Sequence, residues 1–97
     1  MLMRLSQKLT KGFTSWKEMV MESGDIMKEH GIKVIYAGPD KEDNNSMTAV
    51  LYFTTTEAMQ NFGKNEELLK LRDESGVLLD TVVVVPLSED TLLNFPE

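Results

Sequence analysis

The chain predicts an α+β fold of order βαββαβ, in which two helical segments cover one face of a four-stranded antiparallel sheet. Three observations carry this. Apolar residues alternate with period two over residues 1–9 and 47–53. Stripes spaced three and four apart follow two tetrapeptides of capping-box form, Ser15-Trp16-Lys17-Glu18 and Thr54-Thr55-Thr56-Glu57. Turn formers such as Lys11-Gly12, Gly38-Pro39 and Ser75-Gly76 punctuate the rest.

The first strand places Met1, Met3, Leu5 and Leu9 on one face and Leu2, Arg4, Ser6 and Lys8 on the other. A helix is expected from Ser15, whose hydroxyl and the Glu18 carboxylate can satisfy the free amides of a first turn. Trp16, Met19, Val20, Ile26, Met27 and His30 then follow one stripe, interrupted at Ser23-Gly24 by a kink or brief unwinding and ended by Gly31. Ile32 to Ala37 reads as the second strand. The polar run from Gly38 to Ser46 reads as an exposed, mobile hairpin loop before a third strand, Met47 to Phe53. The second helical segment is expected in two pieces, the first closed by Gly63 and the second capped by Asn65 and ended by Ser75-Gly76. Val77 to Leu79 leads into a fourth strand, Thr81 to Val85, followed by a tail from Leu87 to Glu97 that still carries Leu92, Leu93 and Phe95. Residues 1–97 are read as one domain, without repeats or linkers.

Composition narrows the function. The net charge of −6 argues against a nucleic-acid partner, because phosphates are met by a dense basic face. With no cysteine and one histidine, thiolate chemistry is excluded and a resident transition metal or haem is not expected. No segment has the roughly 18 apolar residues of a membrane span, so the expectation is a soluble cytoplasmic protein without a cofactor. Asp40, Glu42, Asp43, Asn44 and Asn45 superficially suggest a cation loop. The calcium pattern needs Gly and Glu at its sixth and twelfth positions, which here hold Asn45 and Leu51.

Each strand keeps apolar groups on both faces, and the fourth contains four consecutive valines. An exposed β-branched edge is an aggregation hazard unless something covers it. The economical solution is a homodimer whose sheets pack face to face, with the tail reaching across to the partner.

Phe13-x-x-Trp16 near the first helix, Gly31-Ile32 leading to a strand that ends Tyr36-Ala37-Gly38, and the broken helix of Phe62 to Gly76 together resemble the dimeric α+β barrel superfamily. The likeness is greatest to small uncharacterised bacterial domains within it. The resemblance implies a ferredoxin-like fold, a dimer, and a ligand cavity between helices and sheet. The superfamily includes antibiotic-biosynthesis-monooxygenase-like and isomerase-like enzymes as well as proteins without known activity.

Against that background the chemistry-bearing residues are few. His30 is favoured as a helix-end cation over a general base or haem ligand. Trp16 is favoured as a helix anchor, although cofactor-free oxygenases of the superfamily place Trp, Asn and Tyr around an aromatic substrate. Arg4 and Ser6, beside Thr48 and Tyr52 of a neighbouring strand, form a cationic strip suited either to an intersubunit salt bridge or to an anionic ligand. In the ligand case Arg4 contacts the anion and Tyr52 supplies shape and a hydroxyl. With Trp16, His30 and Tyr36, these are the candidate ligand-binding residues. The expected function is binding of a small, partly apolar molecule; the alternative is a cofactor-independent monooxygenase or isomerase acting on an aromatic or lactone-like substrate.

Overall fold

The computed structural model describes residues 1–96; Glu97, the last residue of the expected domain and tail, lies outside them. Four strands, β1 (Leu2–Leu9), β2 (Ile32–Asp40), β3 (Asp43–Phe53) and β4 (Val77–Leu87), alternate with α1 (Gly12–Glu22) and α2 (Gly24–Glu29), then α3 (Thr56–Phe62) and α4 (Glu66–Glu74). The sheet order is β2-β3-β1-β4 with antiparallel pairing throughout. This is the expected ferredoxin-like plan.

Register follows from the period-two pattern. Met3 lies opposite Leu51 and Leu5 opposite Ala49, so the odd-numbered side chains of both central strands share one buried face. Met47, Ala49, Leu51 and Phe53 are almost wholly enclosed there, with Met3, Leu5, Leu9 and Val77. The helices close the layer with aromatic contacts. Phe62 meets Phe53 edge-on at 5.6 Å, and Phe13 stacks on Trp16 at 5.8 Å. The helical stripe breaks at Ser23, between α1 and α2, as its Ser-Gly pair implies. Gly31 turns the chain into β2 at φ +69°, where a Cβ would collide with Thr54 Oγ1. Its carbonyl accepts from Thr54 N at 3.0 Å, so the glycine serves both the left-handed turn and a close approach.

Four local expectations are corrected. α1 begins at Gly12, not Ser15, and Ser15 Oγ donates instead to Ser75 O at 3.1 Å. The helix start is held from outside its own sequence by Gly12 N, which donates to Asn45 Oδ1 at 2.8 Å. The polar run after Gly38 is mostly strand: β2 extends to Asp40 and β3 starts at Asp43, leaving a tight hairpin turn. Its polarity reports solvent exposure, since strands projecting beyond the core need no apolar side chains. The cap of α3 is Thr55, one residue later than expected, and its hydroxyl accepts from Ala58 N at 3.0 Å. β4 is longer than expected because Val77 and Leu78 already pair with Leu9 and Lys8. Between Leu78 and Val83 the ladder shifts, and β4 bulges away from β1 opposite Gln7. Lys8 N donates to Thr81 Oγ1 at 2.9 Å, and Thr81 Oγ1 donates to Leu78 O at 2.6 Å, which hold the bulge.

Phe53 is fully enclosed where β3 meets α3. Phe53→Ala is expected to cost about 3 to 5 kcal/mol, read as a lower urea midpoint at unchanged slope; a loss below about 1 kcal/mol would place the core elsewhere.

Candidate binding cavity

The helices do not fill the space above the sheet. A cavity of about 50 Å³ lies between them, walled by apolar side chains that include Leu5, Trp16, Val20, Val34, Leu51 and Phe62. This volume is enough for a few waters. Met19 and Met27, also in the wall, are flexible side chains that can re-pack around a larger occupant. Met19, Ser23 and Leu71 are shared with an outer cleft between α1 and α4, rimmed by Glu18, Glu22 and Glu74.

Besides Ser23, two polar side chains interrupt the apolar wall. Gln7 occupies the core parity of β1, in the row of Met3, Leu5 and Leu9, and is 3% exposed. Its Nε2 donates to Met47 Sδ at 3.3 Å. A thioether sulfur accepts but cannot donate, which selects the nitrogen end of the amide and turns Oε1 away. That oxygen is the one buried side-chain polar atom without a hydrogen-bond partner among the described residues. The β4 bulge lies beside it, so the neighbouring strand supplies no side chain in register with Gln7.

Arg72 is the second polar group. It falls four residues after Leu68 on the inner side of α4, and both are buried. Its guanidinium carbon sits 4.6 Å from the centre of the Phe62 ring, a cation–π contact of about 0.5 to 2 kcal/mol. No carboxylate among the described residues pairs with it. Burial lowers its pKa below the ordinary arginine value, because desolvation disfavours the charged form. Arginine nevertheless remains a cation at neutral pH. Arg72 also borders a cleft beside β4 with Met3, Leu79 and Val82, so the chamber under the helices is apolar in character and suits a small apolar occupant.

Of the residues singled out from the sequence, Trp16 lies in this wall, buried to 7% exposure. His30 caps α2, and its Nε2 is 3.2 Å from Glu67 Oε1 on α4; it lines a separate cleft with Thr55, Glu57 and Asn61. Arg4, Ser6, Thr48 and Tyr52 come together as expected, with Ser6 opposite Thr48 and Arg4 opposite Val50. Tyr36, paired with Val50 from the other side, joins them. This group occupies the sheet face opposite the helices, where Tyr36 is 56% exposed. Sequence reasoning misses Gln7 and Arg72, although each leaves a signal: a polar residue on the apolar parity of β1, and a cation at helical spacing from Leu68.

A ferredoxin-like α+β domain with helices over one face of the sheet is shared with several solved structures, some of them antibiotic biosynthesis monooxygenases by name. SnoaB, a cofactor-independent oxygenase from Streptomyces nogalater solved as a point mutant, is 11% identical, covers 99% of this chain and 96% of its own, and superposes with a TM-score of 0.65. A protein from Bacteroides thetaiotaomicron, provisionally named an antibiotic biosynthesis monooxygenase, is 17% identical over 93% of this chain and 90% of its own, with a TM-score of 0.62. A nipsnap family protein of unknown function from Agrobacterium tumefaciens is 12% identical over 87% and 82%, with a TM-score of 0.59. At such identities the likeness defines the fold alone. No protein-family model and no curated protein matches the sequence.

Because the Gln7 oxygen is buried without a partner, Gln7→Leu is expected to raise stability in the absence of ligand by about 1 kcal/mol or more. The urea midpoint measures this, and a clear loss would mean that the Gln7 amide is satisfied within the fold.

Proposed function

We propose that the chain is a cytoplasmic protein that binds a small, partly apolar molecule in the cavity between sheet and helices. The carrying observation is the cavity itself: an apolar chamber with flexible methionine walls that shares Met19, Ser23 and Leu71 with an outer cleft, in a domain small enough to have closed it by ordinary packing. No helix among the described residues is long and apolar enough to cross a membrane.

The working unit in this reading is a homodimer. Leu2, Val50, Tyr52, Val83, Val85 and Leu87 give the uncovered sheet face an apolar character, and Val83 is 57% exposed. A second copy placed sheet to sheet would remove that surface from water at about 25 cal/mol per Å². It would also enclose the strip of Arg4, Ser6 and Thr48, where Arg4 either finds a carboxylate of the partner or meets an anionic ligand.

A second reading, a cofactor-independent monooxygenase or isomerase acting on an aromatic or lactone-like substrate, is supported by the oxygenase among the structures that share the fold. It also draws on the single tryptophan in the cavity wall. Electrode measurements separate binding from oxygenation, since binding alone consumes no dioxygen when a hydroxylated aromatic is present and an oxygenase consumes it in proportion to product; an isomerase consumes none and is recognised by conversion of a lactone to a product of the same mass.

Trp16 makes binding directly observable. Phenol is expected to change Trp16 fluorescence saturably and raise the melting temperature, and Val20→Phe, which fills the chamber, is expected to abolish both effects while keeping the far-ultraviolet dichroism. Saturable binding that survives Val20→Phe would place the site elsewhere. Light scattering after gel filtration is expected to give a mass near twice the 11.0 kDa chain; a monomer at micromolar concentration would refute the face-to-face arrangement.

A further inference from the structure

The helical layer stops short of the sheet edge. Val84 lies opposite Leu5 in the β1–β4 ladder, and directly paired residues share a face of the sheet, so Val84 is on the side that the helices cover. Leu5 is 2% exposed, yet Val84 is 46% exposed and Leu79, farther along β4, is 38% exposed. Between β4 and the helices α3 and α4 runs a cleft of about 330 Å³, a size in the range of small-molecule sites. Met3, Leu79, Val82 and Val84 form its sheet wall, with Met59 and Leu69 across from them.

Arg72 is the only charged residue in the lining, in a chain with 16 acidic residues. It is 7% exposed and meets no carboxylate among the described residues. The one side-chain hydrogen bond that reaches it, from Ser75 Oγ at 2.7 Å, ends on its backbone carbonyl. Its nitrogens are not sealed in without a partner, a condition that among the described residues belongs to Gln7 Oε1 alone, so the guanidinium stays within reach of an occupant of the cleft. A buried cation without a counter-ion is costly, and a guanidinium matches a carboxylate through two parallel hydrogen bonds. Because Arg72 is already desolvated and braced against Phe62, little ordering remains to be done when an anion binds.

The rest of the lining sets the shape of that anion. Exposed apolar side chains follow β4 from Leu79 to Val84, and Met3 and Met59 are unbranched side chains that adapt to what lies along the strand. One cation selects one negative charge, and the net charge of −6 opposes multiply charged anions. We infer that this cleft is a second ligand site, distinct from the chamber beneath the helices although Phe62 and Arg72 border both. Its ligand is an aliphatic monocarboxylate of medium chain length, the carboxylate accepting from Arg72 and the hydrocarbon lying along β4 over Leu79, Val82 and Val84.

The test combines carbon-13 methyl spectra with calorimetry, using octanoate, 1-octanol and octylammonium as probes. Octanoate is expected to shift the Met3 and Met59 methyls saturably, to leave Met19 and Met27 of the chamber unchanged, and to bind tenfold or more tighter than either other probe. From hexanoate to octanoate the affinity is expected to rise about tenfold, as two buried methylenes imply. Arg72→Met is expected to erase the preference for octanoate over 1-octanol while 1-octanol still binds. Val84→Glu, at a half-exposed position, is expected to abolish octanoate binding by placing a carboxylate in the cleft. Equal binding of the three probes, or no saturable shift at Met3 and Met59, would overturn the inference. So would octanoate binding that appears only when the exposed Leu92 and Phe95 are replaced by Asp, because the tail would then be the occupant of the cleft. Should Arg72→Met not fold, the comparison of probes on the parent protein decides by itself. Val20→Phe, which fills the chamber, is expected to leave octanoate binding intact, so the two sites stand or fail separately.

Discussion

The β1–β3 ladder is the constraint on which the rest of the molecule depends. β1 lies between β3 and β4, so its side chains have no freedom to choose a face. Residues 3, 5, 7 and 9 must all point under the helices once Met3 and Leu5 are matched to Leu51 and Ala49. That register builds the core. It also carries Gln7 into the core, since a one-residue slip that freed Gln7 would expose the apolar row. The orphaned amide is thus a direct consequence of the pairing that stabilises the domain, and β4 accommodates it by bulging at that point in the ladder.

The helices respond to the same constraint. α1, α3 and α4 close over the central strands through Trp16, Phe62 and Leu68, with Phe62 packed edge-on against Phe53 of β3. Arg72 rests on the outer partner of that pair. The cavity is bounded by Leu5, Trp16, Leu51 and Phe62 together with two flexible methionines, Met19 and Met27. Rigid anchors with an adaptable wall suit the binding of a small ligand better than the filling of a core does.

The fold was legible in the sequence because its signals are local: alternation in β1 and β3, the Asn65 cap of α4, and Gly31 and Gly76 at positive φ. The paired strip of Arg4, Ser6, Thr48 and Tyr52 was legible for the same reason, since period two and strand adjacency determine it. What could not be read were interactions that join distant segments. Asn45 holds the start of α1 across 33 residues, and Ser15, which looks like a cap, is committed to Ser75. The cavity belongs with these. Gln7 and Arg72 are 65 positions apart in the numbering, and neither is part of a motif; only the folded arrangement brings both into the wall of one chamber. The solved structures that share the fold carry different names at low identity, so function has to be argued from the side chains of this chain.

Methionine methyl groups provide the most direct measurement of the central claim, that the space beneath the helices is a binding site. Met19 and Met27 line the cavity, Met47 touches Gln7, and Met21 is 72% exposed on the outside of α1. In a carbon-13 methyl spectrum of the dilute protein, addition of phenol is expected to shift the resonances of Met19, Met27 and Met47 saturably with one common binding constant and to leave Met21 unchanged. Shifts confined to Met21 and other surface methyls, or no saturable shift at the three cavity methyls, would contradict the account.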